Sequence, residues 1–176
     1  MWRTPVCALL LGLSAAPAAA NDNGPALLSV FERTCGQRPA LPTILQQSAR
    51  AAGFDDGQLD LAPEMKTPEK LNVTYFAKLD LDGVHFILNA LFVDENGALY
   101  VTCDLSAPGV DEDVIAAIET AEKVSLPHIE VRNDGATSVL NWPSADGDPV
   151  IGLKLRTQRD EPRHALLTLG YKLPRP

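Results

Sequence analysis

Residues 71–93 read LNVTYFAKLDLDGVHFILNALFV and contain two strand patterns around a turn. Every second residue from 71 to 79 is apolar, which is the period of a strand with one buried face. Asp82-Gly83 is a two-residue hairpin signal. The returning segment, 84–93, is apolar on both faces, so we expect a central strand that is covered on both sides. The stretch predicts an antiparallel hairpin in the middle of a sheet.

Further segments carry strand patterns, each bounded by turn residues. They are residues 98–105, 128–132, 137–142, 150–157 and 165–173. The last two segments alternate most regularly, with apolar residues on one face and mainly charged residues or glycine opposite. Short connections of this kind join antiparallel neighbours, so these segments extend the predicted sheet.

Three segments have helical periodicity. The first begins at Pro25, carries Cys35 on its apolar face and stops at Gly36. The second has Thr43 as its expected N-cap and Gly53 as its left-handed cap. The third runs from about residue 111 to 124, with acidic residues at its start, where the helix dipole favours negative charge.

The predicted order is two helices, three strands, one helix and four strands, with residues 55–70 as a long surface loop. Antiparallel hairpins with grouped helices are typical of an α+β fold. We therefore expect one antiparallel sheet of about six to seven strands, with helices packed on one face. Residues 21–176 have the length of a single domain with its own core.

The first twenty residues have the three parts of a secretory signal peptide. Arg3 supplies the positive charge, residues 6–13 are mostly apolar, and small residues lead to a cleavage site between Ala20 and Asn21. The apolar run is about half of the roughly 20 residues that span a bilayer, so a transmembrane segment is not predicted. We expect an exported protein, periplasmic or extracellular.

Two cysteines follow the predicted cleavage site, Cys35 and Cys103. Paired cysteines in exported proteins usually form a disulfide bond, and both residues fall on apolar faces that point to the core. A redox pair would normally show C-x-x-C spacing, and a structural zinc site needs about four ligands. The sequence therefore predicts a Cys35–Cys103 disulfide that staples the first helix to the third strand.

The segment Phe31-Glu32-Arg33-Thr34-Cys35 has the form F-x-x-T-C and comes shortly after the signal peptide. Together with a second helix that ends in AAGF at residues 51–54, it resembles a group of uncharacterised bacterial exported proteins. The resemblance covers residues 1–54. It implies a bacterial, periplasmic setting and brings no activity and no site residues.

The charge distribution is uneven. The chain carries a formal net charge of −8, which argues against nucleic acid or an anionic membrane as a general partner. The C-terminal part is basic, with Lys154, Arg156, Arg159, Arg163, Lys172 and Arg175. Such a hairpin is either the solvated face of a sheet edge, where Lys and Arg discourage edge pairing, or a surface for an acidic partner or a phosphate.

Motifs for catalysis, metal or cofactor binding are not found: there is no nucleophile elbow, phosphate loop or dinucleotide fingerprint. No catalytic residue, metal ligand or cofactor is assigned. We expect a non-catalytic domain that binds a protein, an envelope component or a small ligand. The alternative is a small hydrolase whose acid and base residues converge from separate strands, with His85, Asp104 and His128 as the first group.

Overall fold

The structure is a computed structural model that describes residues 22–61, 72–95, 97–121, 128–143, 150–157 and 163–174. The predicted signal peptide and its cleavage site between Ala20 and Asn21 lie outside these residues, so both stay predictions. No helix in the described ranges is long and apolar enough to cross a membrane.

The described residues form three α-helices, one 3-10 turn and eight strands. The elements are α1 (Gly24–Arg33), a 3-10 turn (Cys35–Gln37), α2 (Pro42–Ala51), β1 (Gln58–Leu61), β2 (Asn72–Leu81), β3 (Val84–Glu95), β4 (Ala98–Pro108), α3 (Val114–Ala121), β5 (Ile129–Asn133), β6 (Thr137–Trp142), β7 (Val150–Arg156) and β8 (His164–Pro174). All strands belong to one antiparallel sheet with the order β1-β2-β3-β4-β8-β7-β6-β5. Two four-stranded meanders therefore meet at the β4–β8 pair.

The α+β class and the single antiparallel sheet are confirmed. Strands β2 to β8, which have five or more residues each, correspond to the seven predicted strands. The predicted order is incomplete, because four-residue β1 pairs with β2 inside the segment that we predicted to be a loop. A strand this short gives too few alternations for its period to be recognised.

Local chemistry explains where the helices begin and why two of their predicted starting points are wrong. Both α1 and α2 have proline in their first turn, where the missing N–H costs no hydrogen bond. Pro42 makes Leu41, not Thr43, the N-cap of α2. The third helix begins at Val114, after the acidic residues rather than among them. Its predicted continuation beyond residue 121 lies outside the described residues.

Helices α1, α2 and α3 pack on one face of the sheet. The core contains the alternate residues of the strands that point to this face together with Leu27, Phe31, Leu45 and Ile118 of the helices. Burying these side chains is the main stabilising contribution to the fold. The prediction of helices on one face is confirmed.

The predicted disulfide is present and joins Cys35 to Cys103, with 5.5 Å between the two Cα atoms. Both residues are fully buried. The prediction that Cys35 belongs to the first helix is wrong, because α1 ends at Arg33 and Cys35 begins the 3-10 turn. The bond therefore ties this turn, rather than α1 itself, to β4 in the middle of the sheet.

The prediction that β3 is covered on both faces is wrong. Phe86, Leu88 and Phe92 are buried beneath the helices, but Ile87 and Leu91 on the other face are 38% and 39% exposed. All three described helices occupy the first face, and nothing within the described residues lies over the second. We call this second side the uncovered face.

Candidate ligand-binding groove

The strand register arranges the uncovered face in lateral rows. One row contains Asn89, Asp104, Thr168, Gly152 and Asn141, which lie side by side on β3, β4, β8, β7 and β6. Neighbouring strands are about 4.8 Å apart, so side chains in one row are within reach of each other. This row is therefore mainly polar, although Phe76 continues it on β2 and Ile87, Leu91 and Leu166 lie in adjacent rows.

Two adjoining depressions lie on the C-terminal half of this face. The first has a volume of about 370 Å³ and is lined by Ser106, Lys154, Arg156, His164 and Leu166. The second, of about 320 Å³, shares Lys154 and Leu166 with the first and adds Thr102, Val139, Asn141, Gly152, Leu153, Thr168 and Gly170. Because they share two residues, we treat them as one feature, the groove. Both depressions are open to solvent, so a bound molecule would keep part of its surface in water.

The floor of the groove is formed by glycines in the interiors of two strands. Gly152 on β7 and Gly170 on β8 place no side chain on the uncovered face. A Cβ atom on Gly152 would lie 3.2 Å from Asn141 Oδ1 and 3.7 Å from Thr168 Cβ. Glycine inside a strand weakens it and often marks a place where another molecule approaches the backbone. The groove is concave because these two positions have no side chain.

One end of the groove is basic. Arg156 on β7 lies directly opposite His164 on β8, and Lys154 lies two residues before Arg156 on the same face. Both Lys154 and Arg156 are exposed, and within the described ranges no acidic side chain forms an ion pair with either. By contrast, Arg163 pairs with Glu112 at 3.2 Å.

The hypothesis that the basic C-terminal strands form an edge hairpin is wrong. Strands β7 and β8 lie inside the sheet, with β4 beyond β8 and β6 beyond β7. Protection of a sheet edge therefore does not explain Lys154 and Arg156. Arg159 and Arg175 lie outside the described residues.

Asp104 borders the groove on β4. The hydroxyl of Thr168 donates a hydrogen bond of 2.6 Å to Asp104 Oδ1. Burial raises the pKa of Asp104 above its ordinary value, and the Thr168 hydrogen bond opposes that rise. A partly buried carboxylate with a raised pKa beside a depression is more typical of a functional surface than of a solvated one.

Apolar side chains continue the uncovered face beyond the groove. Phe76, Ile87, Leu91 and Tyr100 are each partly exposed on β2, β3 and β4. Lys172 Nζ lies 5.3 Å from the centroid of the Tyr100 ring, and Lys78 Nζ lies 5.6 Å from that of Phe76. Lysines that cover aromatic rings reduce the contact of the rings with water without burying them.

The structure does not bring His85, Asp104 and His128 together. His85 is on the uncovered face beside Asp80, in a row four residues along β3 from the row of Asp104, or about 13 Å. His128 is on the helix side, where its Nδ1 is 3.0 Å from Glu119 Oε1 and its ring packs edge-on against Trp142. This Glu119 oxygen also accepts a hydrogen bond from Trp142.

Sequence reasoning missed His164, Gly152 and Gly170 as groove residues. The signal that could have found them was present, because two neighbouring strand patterns each carry a glycine on the face opposite their leucines. These glycines can form the floor of a groove only if β7 and β8 are adjacent strands in the interior of the sheet. That arrangement comes from the tertiary structure.

Comparison of the chain with protein-family models, with curated proteins and with solved structures finds no match. The described residues also contain no group of three or more His, Cys, Asp or Glu side chains that could hold a metal ion. The groove is therefore interpreted from its own chemistry.

Proposed function

We propose that this protein is an exported, non-catalytic binding domain that holds a small ligand in the groove. The observation that carries the proposal is the glycine floor: an added Cβ at Gly152 would lie 3.2 Å from Asn141 Oδ1, so a side chain at this position would crowd the depression. The basic end supports it, because Lys154 and Arg156 have no ion-pair partner within the described residues. Export is inferred from the signal sequence, and the buried Cys35–Cys103 disulfide is compatible with it.

Binding is favoured over the alternative of hydrolysis. A hydrolase would need its acid and base groups to converge on one substrate. His85 and His128 lie on opposite faces of the sheet, so one substrate cannot contact both. Asp104 has Thr168 as its hydrogen-bond partner, which suits a carboxylate that shapes a binding surface.

The test is to purify the protein from the periplasm of a bacterial host and identify retained small molecules by mass spectrometry after denaturation. We expect the wild type to retain a ligand and Gly152→Val to lose it. Ala116→Val, which adds bulk on the exposed surface of α3, is the matched control and should retain the ligand. Equal retention by Gly152→Val, or no retention by the wild type, would contradict the proposal. The intact mass tests cleavage before Asn21.

A further inference from the structure

We infer that the ligand of the groove is a single-chain fatty acid, with its carboxylate at the basic end and its alkyl chain along the glycine floor. This inference rests on the proposed function and specifies its ligand. It is carried by the chemistry of the two depressions, one rimmed by basic side chains and the other lined mainly by carbon.

The basic end fits one anionic group. Arg156 and His164 are directly opposite on adjacent strands, about 5 Å apart along the sheet. Lys154, two residues from Arg156, is about 7 Å away along β7. Nitrogen donors at this spacing can share the two oxygens of one carboxylate. The chain as a whole is acidic, with a net charge of −8, so the basic end of the groove is a local exception to the charge of the molecule.

The second depression fits a chain rather than another polar group. Its lining surface is mostly apolar and includes Leu166, Val139 and the Cα atoms of Gly152 and Gly170, while Thr102, Asn141 and Thr168 add polar atoms. From His164 to Gly170 the groove follows β8 for six residues, or about 20 Å. A small dianion would fill only the basic end of this length. An alkyl chain would instead remove the apolar floor from water, which is favourable in proportion to the area covered.

Asp104 gives the ligand a direction. It belongs to the same row as Thr168 and Gly152, beside the second depression, and it is not among the residues that line either one. When ionised it repels a carboxylate placed near the glycine floor. The carboxylate is therefore favoured at the Arg156 end, and the chain points toward Gly170.

The experiment is calorimetric titration of the full mature chain, after ligand removal, with dodecanoate below its aggregation concentration. Dodecyltrimethylammonium has the same chain with a positive headgroup, and butyrate has the same headgroup with a short chain. We expect dodecanoate to bind at least tenfold more tightly than either. Binding of the cationic amphiphile as tightly as dodecanoate would overturn the carboxylate assignment. Butyrate binding as tightly would overturn the role of the chain.

Variants connect the binding to the groove. Lys154→Gln combined with Arg156→Gln should weaken dodecanoate binding at least tenfold, and Gly152→Val should abolish it. Lys78→Gln, on β2 of the same face but outside the groove, is the matched control and should bind like the wild type. Far-ultraviolet circular dichroism and thermal melts check that each variant is folded. Unchanged binding by a folded Lys154→Gln, Arg156→Gln protein would overturn the inference.

The two proposals fail in different ways. If the wild type retains another molecule that Gly152→Val loses, and dodecanoate does not bind, the fatty-acid inference is wrong and the groove remains a binding site. If dodecanoate binds equally to wild type and Gly152→Val, its site lies outside the groove and the fatty-acid inference is wrong. The proposed function fails only if the wild type retains no molecule or Gly152→Val retains the same one.

Discussion

Arg156 on β7 lies directly opposite His164 on β8, and both side chains are on the face of the sheet that carries no helix. Directly opposed side chains on neighbouring strands interact most strongly, and two basic groups in this arrangement repel whenever both are charged. Together with Lys154 they form a basic cluster in the interior of a sheet. Because this basic cluster does not stabilise the free protein, we expect its role to be the binding of a ligand.

Replacing Arg156 with Gln should not destabilise the free protein. The change removes repulsion from Lys154 and breaks no ion pair found in the described residues, so we expect the free energy of unfolding to stay within about 0.5 kcal/mol or to rise. The gain should be larger at low ionic strength, where repulsion is less screened. Urea denaturation at low and high salt measures both effects. A loss of more than about 1 kcal/mol would show that Arg156 has a structural role.

Loss of the hydroxyl should affect the free energy of unfolding differently at the two buried tyrosines of the helix-covered face. Tyr171 donates a hydrogen bond of 2.8 Å to the Pro39 carbonyl, so Tyr171→Phe should cost about 1 kcal/mol. The Tyr75 hydroxyl is buried with no hydrogen-bond partner among the described residues. Tyr75→Phe should therefore be neutral or stabilising.

The same denaturation experiment compares the two tyrosine variants, and each serves as the control for the other. Gly57 closes over the Tyr75 ring, where an added Cβ would lie 2.4 Å from the hydroxyl oxygen. Gly57→Ala should consequently destabilise the wild type, and Tyr75→Phe should relieve only part of that clash. A clear loss of stability in Tyr75→Phe alone would mean that its hydroxyl has a partner.

Asp104→Asn should stabilise the protein near neutral pH. Burial raises the folded-state pKa of Asp104 above its ordinary value of 3.8, so the folded protein holds this proton more tightly than the unfolded chain. Ionisation therefore lowers stability as pH rises through the interval between the two pKa values. The asparagine side chain does not ionise, and its oxygen can still accept the Thr168 hydrogen bond.

Unfolding free energies measured from about pH 4 to neutral pH check the Asp104 prediction. The advantage of Asp104→Asn should be greatest at neutral pH and should decrease as the pH approaches the ordinary aspartate value. Asp56→Asn, at an exposed carboxylate paired with Arg50, is the control and should not show this pattern. An advantage of equal size at every pH would indicate a packing effect instead.

Reduction of the Cys35–Cys103 bond should lower the free energy of unfolding by roughly 4 kcal/mol, because the bond closes a loop with a sequence separation of 68. Urea denaturation with and without dithiothreitol measures the difference. The variant with serine at both positions should resemble the reduced protein and should not respond to dithiothreitol. A wild type that is equally stable in both conditions would contradict this stabilising role.

The strands could be predicted from the sequence because each has a period of two over several residues. The hairpin at Asp82-Gly83 was also predictable, because Asp-Gly tolerates the positive φ angles that this two-residue turn requires. In the structure these angles are 52° and 80°. The Cys35–Cys103 pairing was predictable because only two cysteines follow the predicted cleavage site. Four-residue β1 could not be recognised, and proline at residue 42 displaced the expected N-cap of α2.

The groove could be predicted only in part. Lys154 and Arg156 were identified as basic residues, but their position inside the sheet depends on the pairing of β4 with β8. These strands are far apart in the chain, and no local pattern specifies which strands become neighbours. The exposure of Ile87 and Leu91 could not be predicted either, because an apolar residue on a strand does not reveal which face the helices cover.

The local elements, the buried side of most strands and the cysteine pair could be predicted without a structure, because these depend on periodicities, turn residues and the number of cysteines. Three features became visible in the folded protein alone. Two meanders join at β4 and β8, all the described helices share one face, and Gly152 and Gly170 form the floor of a groove with a basic end. This difference arises because the packing of the whole core determines which strands become neighbours, whereas the alternation of a single strand depends only on its own residues.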